Sequence, residues 1–343
     1  MTTQNPIGMD GIACVEWSAP NAEGLASLDA LFKALGFSLT KSHQTEHADL
    51  YEQHAIRFVV SRSPESFAAR FAQEHGPCVS GLGLWVEDAE HAVTAALARG
   101  AQRYEGPTLF GDAPAVYGIG GSLIHLLDKR RDFQRLWNPL ERPARVPDRG
   151  FLAIDHLTNN VEKGTMERWQ RFYKDIFGFT EVRTFDIRGE KTGLHSYALR
   201  SPCGTFCIPI NEGTEHKSQI EEYLREYKGA GVQHLALLSR DLLGSLRGLE
   251  EAGVQTLDID PEYYDTVFDR VTGVREDREG IRANRVLVDG DEDGYLLQIF
   301  TRNVVGPIFF EMIQRENHLS FGEGNFGALF RSIERDQARR GVL

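Results

Sequence analysis

The stretch Leu-Ala-Ile-Asp-His-Leu-Thr-Asn-Asn-Val-Glu-Lys-Gly at residues 152–164 has a counterpart in Ile-Ala-Cys-Val-Glu-Trp-Ser-Ala-Pro-Asn-Ala-Glu-Gly at residues 12–24. Each stretch is followed by a helical pattern that ends in an apolar residue, a glycine and a phenylalanine. Two further pairs of similar segments follow in the same order: 81–86 with 234–239, and 122–129 with 308–315. Self-similarity in a fixed order predicts repeated supersecondary units.

The repeat divides the chain into two homologous halves. We predict a first domain over residues 1–135, a linker over 136–150 and a second domain over 151–343. The linker region is rich in arginine and proline. Each half contains two strand–helix units followed by more strands, so the sequence predicts an α+β fold.

The last part of the chain, residues 325–341, predicts an amphipathic helix. Asn325 is the expected N-cap, because a short polar side chain can accept a hydrogen bond from the first turn. The apolar stripe of this helix has the usual helical spacing and consists of Phe326, Leu329, Phe330 and Ile333.

The composition is that of a globular protein: 41% of the 343 residues are hydrophobic and 26% are charged. The net charge of −12 argues against binding to nucleic acid or to anionic membrane surfaces. No apolar run approaches the roughly 20 residues of a membrane span. The N-terminus lacks the pattern of a secretory signal, and four cysteines do not form a disulfide framework. We therefore expect a cytoplasmic protein.

Three residues in the second half form a candidate metal site. His156, His234 and Glu311 stand in equivalent strand contexts and are spaced 78 and then 77 residues apart. A lone histidine on a strand is more often a hydrogen-bonded core or surface residue, but the repeat brings these three strands into one domain. Two imidazoles and one carboxylate suit a non-haem Fe(II) site that keeps positions open for substrate and O₂.

The first half provides an internal comparison. Aligned on the repeat, it has Glu16 opposite His156, Gly81 opposite His234 and His125 opposite Glu311. Glycine has no side chain with which to bind a metal ion. The sequence thus predicts that the first half has kept the fold and lost the metal site.

Five motifs stand in order in the second half: Ile154-Asp-His-Leu-Thr-Asn-Asn160, Gly231-Val-Gln-His-Leu-Ala-Leu237, Leu296-Leu-Gln-Ile-Phe300, Phe309-Phe-Glu-Met-Ile-Gln-Arg315 and Phe321-Gly-Glu-Gly-Asn-Phe326. Together they resemble the 4-hydroxyphenylpyruvate dioxygenase family over essentially all of residues 150–343. The first half resembles the divergent, metal-free domain of that family more weakly. The resemblance implies the vicinal-oxygen-chelate fold, in which tandem βαβββ modules form two homologous open-barrel domains, with a lid helix at the C-terminus.

The resemblance also implies an activity. One Fe(II) per chain would be held by His156, His234 and Glu311. The substrate, 4-hydroxyphenylpyruvate, would chelate iron through its carboxylate and keto oxygen and react with O₂ to give homogentisate and CO₂. The reaction comprises oxidative decarboxylation, ring hydroxylation and side-chain migration, a step of tyrosine and phenylalanine catabolism. The family further suggests a homodimer or a homotetramer.

The motif positions imply two further groups of residues. The first group would line the substrate pocket and comprises Ser196, Asn211, Gln219, Gln233, Gln298, Phe300 and Phe309. An amide suits the phenol of the substrate because it both donates and accepts hydrogen bonds. The second group belongs to the segment that would close over the site and exclude water: Phe321, Asn325 and Phe326.

Three alternative functions remain open. A 4-hydroxymandelate synthase uses the same substrate and iron site but hydroxylates the benzylic carbon; the intact Gly-Asn-Phe segment and the C-terminal helix favour ring hydroxylation. An extradiol catechol dioxygenase commonly has additional histidine and tyrosine acid–base groups, which we cannot place in this sequence. A metal-free binding or resistance protein of the same fold is usually a shorter, single-domain dimer.

Overall fold

The computed structural model describes residues 4–129, 133–189 and 191–342, and it places the strands in two mixed sheets. The first sheet contains β1 (Met9–Ser18), β2 (Ser38–His43), β3 (Ala48–Gln53), β4 (Ile56–Ser61), β5 (Cys78–Val86), β6 (Arg103–Tyr104), β7 (Ala115–Tyr117), β8 (Leu123–Asp128) and β9 (Trp137–Ala144). The second sheet contains β10 (Phe151–Val161), β11 (Thr180–Arg188), β12 (Gly193–Arg200), β13 (Cys207–Gly213), β14 (Gly231–Ser239), β15 (Leu287–Gly290), β16 (Tyr295–Phe300) and β17 (Phe309–Glu316).

Helices connect the strands and pack against the sheets. They are α1 (Ala22–Ala34), α2 (Phe67–His75), α3 (Ala89–Ala98), α4 (Met166–Arg171, continued by a π-helical turn over Phe172–Ile176), α5 (Gln219–Tyr227), α6 (Leu242–Glu251), α7 (Val267–Arg270), α8 (Arg278–Ala283) and α9 (Phe326–Arg339). Short 3₁₀ turns cover Ile119–Gly121, Phe133–Leu136, Pro261–Asp265 and Glu323–Asn325. Polar caps fix several helix starts: the side chains of Asn21, Ser218 and Asp241 each accept from the backbone N–H three residues on.

The element order repeats as strand, helix, three strands. The four modules begin at β1, β5, β10 and β14, and the fourth carries α7 and α8 as an insertion. In each module the first and last strands pair in parallel, and the first strands of two successive modules pair antiparallel at the centre of a sheet. The two curled sheets thus confirm the predicted α+β fold of tandem βαβββ modules.

Part of the stretch expected to be a linker is a strand. Residues 137–144 form β9, which pairs with β2 at the edge of the first sheet. Residues 145–150 then lead into β10. The arginine- and proline-rich composition therefore belongs partly to an edge strand, which is where a sheet tolerates proline.

The two halves share one hydrophobic core. Trp17 of the first sheet is fully buried, and its ring stacks on Phe310 of the second sheet with centroids 5.9 Å apart. Phe58 lies beside both rings. This contact fixes β1 of the first half against β17 of the second, the strand that carries Glu311. Among the described residues, no helix is both long and apolar enough to cross a membrane.

Candidate metal centre and adjoining cavity

Three neighbouring strands bring His156, His234 and Glu311 together. β14 lies between β10 and β17, and each strand contributes one side chain to the cluster. The Nε2 atom of His156 lies 3.1 Å from Oε2 of Glu311 and 3.3 Å from Nε2 of His234, and the latter lies 3.4 Å from the same carboxylate oxygen. All three side chains are buried.

This triangle has the dimensions that a single metal ion requires. An ion about 2.1 Å from three ligand atoms places them about 3.0 Å apart on an octahedral face and about 3.4 Å apart on a tetrahedral face. The three observed separations fall in that interval. Within the part of the chain that the structure describes, no other group of three or more His, Cys, Asp or Glu side chains has such spacing.

Each of the three side chains is oriented by one polar partner. Asp155 Oδ2 lies 2.8 Å from Nδ1 of His156, and Gln233 Oε1 lies 3.1 Å from Nδ1 of His234. Gln298 donates to Oε1 of Glu311 at 2.9 Å. Such partners fix the tautomer and the ring orientation of a metal-binding histidine.

Two β-bulges make this arrangement possible. Adjacent residues on a regular strand point to opposite faces of a sheet, yet Asp155 reaches its neighbour's ring, and so does Gln233. The register between β10 and β14 shifts between Ile154 and His156, and again opposite Gln233. Asp155 and Gln233 are thus the extra residues of the two bulges, which turn their side chains toward the site. Sequence reasoning missed Asp155 because a bulge leaves no plain signal in the residue pattern.

The charges within the triangle balance one another. Burial alone lowers the pKa of His156, but the carboxylates of Glu311 and Asp155 outweigh burial and raise it to about 9. Burial likewise raises the pKa of Glu311, and the two imidazoles outweigh it, with a pKa of about 2 as the result. Burial lowers the pKa of His234. Since histidine binds a metal ion only as the neutral imidazole, His156 would have to give up its proton to serve as a ligand.

The register of the first sheet corrects the alignment of the two halves. In the second sheet one row of paired residues joins His156 to Glu311 through β14. The equivalent row of the first sheet joins Cys14 to His125 through β5. Cys14 therefore stands in the position of His156, and the expected match with Glu16 was wrong by two residues.

The first half nevertheless lacks a comparable cluster. Glu16 lies opposite Gly81, and its Oε2 lies 3.3 Å from Nε2 of His125, so the carboxyl group and the imidazole are buried against each other. A side chain at Gly81 would come within 3 Å of both atoms. The Glu16–His125 pair thus leaves room only for a glycine at this position. Among the described residues, no third metal-binding side chain joins the pair.

A cavity adjoins the metal centre, and every residue expected in the substrate pocket lines it. Ser196, Asn211, Gln219, Gln233, Gln298, Phe300 and Phe309 all line it, together with the three candidate ligands. Phe309 stacks on the ring of His234 with centroids 4.8 Å apart, and Asn211 donates to Gln233 at 3.5 Å. Eight more residues line the cavity that the sequence analysis did not assign to the pocket: Thr158, Phe185, Ile187, Leu194, Pro209, Leu329, Phe330 and Ile333. Strand alternation could have found Thr158 and Leu194, each two residues from a predicted residue.

The C-terminal segment forms part of the wall of this cavity. Phe321 and Phe326 line it, and the ring of Phe321 lies edge-on to His156 with centroids 5.6 Å apart. Gly322 has φ +78°, and a side chain there would collide with Gln298, so glycine is required at this approach. The helix α9 that follows is anchored by Glu334, which accepts from the backbone N–H groups of residues 191 and 192.

The side chain of Asn325 does not cap α9 as expected. It precedes α9, but its side chain makes no capping hydrogen bond. Its amide donates to Gln298 Oε1 at 2.8 Å and accepts from the hydroxyl of Tyr263 at 2.6 Å. It is buried behind Gln298 rather than in the cavity wall. Asn325 therefore links α9 to the partner of Glu311.

Comparison with known proteins places the chain in a family. Residues 3–139 match the family model "Hydroxyphenylpyruvate dioxygenase, HPPD, N-terminal", and residues 153–299 match "Glyoxalase/Bleomycin resistance protein/Dioxygenase superfamily". The chain is 42% identical to a 4-hydroxyphenylpyruvate dioxygenase of Legionella pneumophila over 348 residues, which covers 100% of this chain and 99% of that protein. The chain belongs to the 4-hydroxyphenylpyruvate dioxygenase family.

Two further comparisons cover nearly the full length of the chain. The chain is 53% identical to Protein MelA of Shewanella colwelliana over 345 residues, or 99% of each chain. A solved structure of a 4-hydroxymandelate synthase mutant from Streptomyces coelicolor superposes with a TM-score of 0.82 at 28% identity and covers 96% of this chain and 99% of that one. The predicted family, its fold and an enzyme of the dioxygenase class are thus confirmed.

Proposed function

We propose that this chain is an Fe(II)-dependent enzyme that converts 4-hydroxyphenylpyruvate and O₂ to homogentisate and CO₂. The observation that carries the proposal is the buried triangle of His156, His234 and Glu311, which faces a cavity lined by amides and phenyl rings. Two imidazoles and one carboxylate are the donor set of oxygenases that keep positions open for substrate and O₂. The full-length relatives that bear the name of this activity support the choice of substrate.

The side chains of the cavity have separate tasks in this proposal. Bound Fe(II) would supply O₂ activation and two-point attachment of the α-keto acid. Gln298 and Gln233 hold Glu311 and His234 in place. Asn211 and Ser196 offer hydrogen bonds to the polar end of an aromatic substrate, while Phe300 and Phe309 pack against its ring. The aromatic residues of the C-terminal segment exclude water from the site.

We also propose different roles for the two halves of the chain. Residues 151–343 form the catalytic domain, residues 1–135 form a degenerate domain without a metal ion, and residues 136–150 connect them. The Glu16–His125 pair and the glycine beside it support the loss of metal binding in the first half. The proposed cytoplasmic location rests on the composition, with its few cysteines, and assembly as a homodimer or homotetramer rests on the family resemblance.

The second candidate is 4-hydroxymandelate synthesis from the same substrate, favoured by the likeness to the Streptomyces coelicolor enzyme. Homogentisate and 4-hydroxymandelate are isomers, so mass alone does not distinguish them. The test incubates the protein with Fe(II), O₂ and 4-hydroxyphenylpyruvate and separates the products by chromatography against both standards. We expect homogentisate, which also oxidises to a brown pigment. 4-Hydroxymandelate as the main product would contradict the proposal.

Phe326→Ala is expected to damage catalysis while sparing the metal. The ring lines the cavity from α9 and packs edge-on against Phe185, so it positions the substrate and does not hold the ligands. We expect kcat/KM to fall by about tenfold to a hundredfold, the scale of a misplaced reactant. Arg339→Ala, at the exposed end of the same helix, is the control. Iron content that falls in step with activity would refute this assignment, as would unchanged kinetics.

A further inference from the structure

One arginine contacts both Asp155, the partner of His156, and the segment that leads over the site. The guanidinium of Arg315 donates to both carboxylate oxygens of Asp155, through Nε at 2.7 Å and Nη2 at 2.8 Å. Its remaining nitrogen, Nη1, donates to the backbone carbonyls of His318 at 3.0 Å and Ser320 at 2.6 Å. The side chain is 13% exposed, so these contacts are largely shielded from water.

Strand geometry explains how Arg315 reaches Asp155. Arg315 lies four residues after Glu311 on β17, and strand alternation places both on the same face. The bulge in β10 turns Asp155 toward that face. Asp155 is the one charged group among the three orienting partners, since Gln233 and Gln298 are neutral amides. A largely buried carboxylate needs a charged partner with satisfied hydrogen bonds, and the guanidinium fork of Arg315 provides it.

The Nη1 end of the guanidinium binds the backbone that leads into the C-terminal segment. His318 and Ser320 precede Phe321, whose ring contacts His156, and His318 is buried with its Nε2 atom 2.6 Å from Ser320 Oγ. The backbone here makes a turn that ends at Gly322 against Gln298. Arg315 therefore fixes the start of the covering segment at the same time as it fixes Asp155.

We propose that Arg315 and Asp155 are positioning residues: Asp155 orients His156, and Arg315 positions both Asp155 and the segment 318–326 over the site. Asp155 orients the imidazole, and Arg315 orients Asp155 and the backbone of the segment through one rigid group. The inference rests on the proposed function only in treating His156 as a metal ligand. It needs no assumption about substrate or product.

The experiment compares Arg315→Lys and Asp155→Asn with the wild type, using Co(II) as a spectroscopic probe and hydrogen–deuterium exchange of the peptide spanning 317–330. Lysine keeps the charge but lacks the fork. We expect Arg315→Lys to weaken Co(II) affinity by about tenfold to a hundredfold, as loss of a ligand's partner does, and to speed exchange in the peptide. We expect Asp155→Asn to weaken Co(II) affinity similarly and to leave exchange unchanged, because the Arg315 contacts with the backbone persist.

The control is Arg62→Lys, which alters an ion pair with Asp49 in the first sheet. The proposal is refuted if Arg315→Lys behaves like this control, if it changes only one of the two readouts, or if Asp155→Asn leaves Co(II) affinity intact. Circular dichroism and thermal unfolding check that each variant folds. If Arg315→Lys does not fold, the isosteric Asp155→Asn still tests the effect on Co(II) affinity. Neither readout requires turnover, so a wild type that binds Co(II) but makes no homogentisate would contradict the proposed function and leave this inference standing.

Discussion

Replacing Glu311 with alanine is expected to abolish turnover in a folded protein. The change removes the sole anionic member of the triangle and leaves Gln298 without its acceptor. Loss of the metal's contribution of several kcal/mol corresponds to a fall in kcat/KM of at least about a thousandfold. The measurement is homogentisate formation with Fe(II) in excess, beside a circular dichroism spectrum of the variant.

The matched control is Glu316→Ala. Glu316 ends the same strand and accepts a hydrogen bond from Gln314, away from the ligands. We expect this variant to keep near wild-type turnover. Homogentisate formation near the wild-type rate by Glu311→Ala itself would overturn the assignment of the metal centre.

The double variant His156→Ala/His234→Ala is expected to retain no tightly bound iron, whereas the wild type retains one iron per chain. Two homologous halves could in principle hold two metal ions. Among the described residues of the first half, however, Gly81 stands in the place of His234, Glu16 and His125 lie side by side, and no group of three ligand side chains forms. Two ligands bind divalent metal weakly and without selectivity, because selectivity comes from ligand number and geometry.

Metal analysis after Fe(II) reconstitution and desalting makes this comparison. Two irons per wild-type chain, or one iron that persists in the double variant, would show that the first half still binds metal. Glu16→Gln is an informative companion variant, since we expect it to leave the iron content of the otherwise intact chain unchanged.

Sequence patterns predicted those features that depend on repetition and on residue type. The repeat predicted the order of the modules, because each module must place its strands in the same way to bury its face. Equivalent strands then brought His156, His234 and Glu311 together as expected. The amide and phenylalanine positions of the pocket also lie where the motifs implied.

Features that depend on bulges and on tertiary contacts could not be predicted in this way. A bulge turns Asp155 toward His156, although a regular strand would point it to the other face. The first-half alignment failed for a related reason: the register of β1 against β5 also shifts, between Ile12 and Cys14, and places Cys14 rather than Glu16 in the row of His125. Asn325 resembled an N-cap, but Gln298 and Tyr263 compete for its side chain. The local preference of asparagine for capping a helix is overridden where its buried side chain has tertiary hydrogen-bond partners.

The most direct test of the central claim is a single oxygen pulse to the reconstituted enzyme. The protein is loaded with Fe(II) without oxygen, freed of excess metal and mixed with 4-hydroxyphenylpyruvate, and O₂ is then admitted. O₂ uptake, CO₂ release and aromatic product are measured in the same sample. We expect equal amounts of O₂ consumed, CO₂ released and homogentisate formed by the wild type, and none of the three with His156→Ala/His234→Ala. It is contradicted by 4-hydroxymandelate as the product, or by no oxidation of the substrate by the iron-loaded wild type.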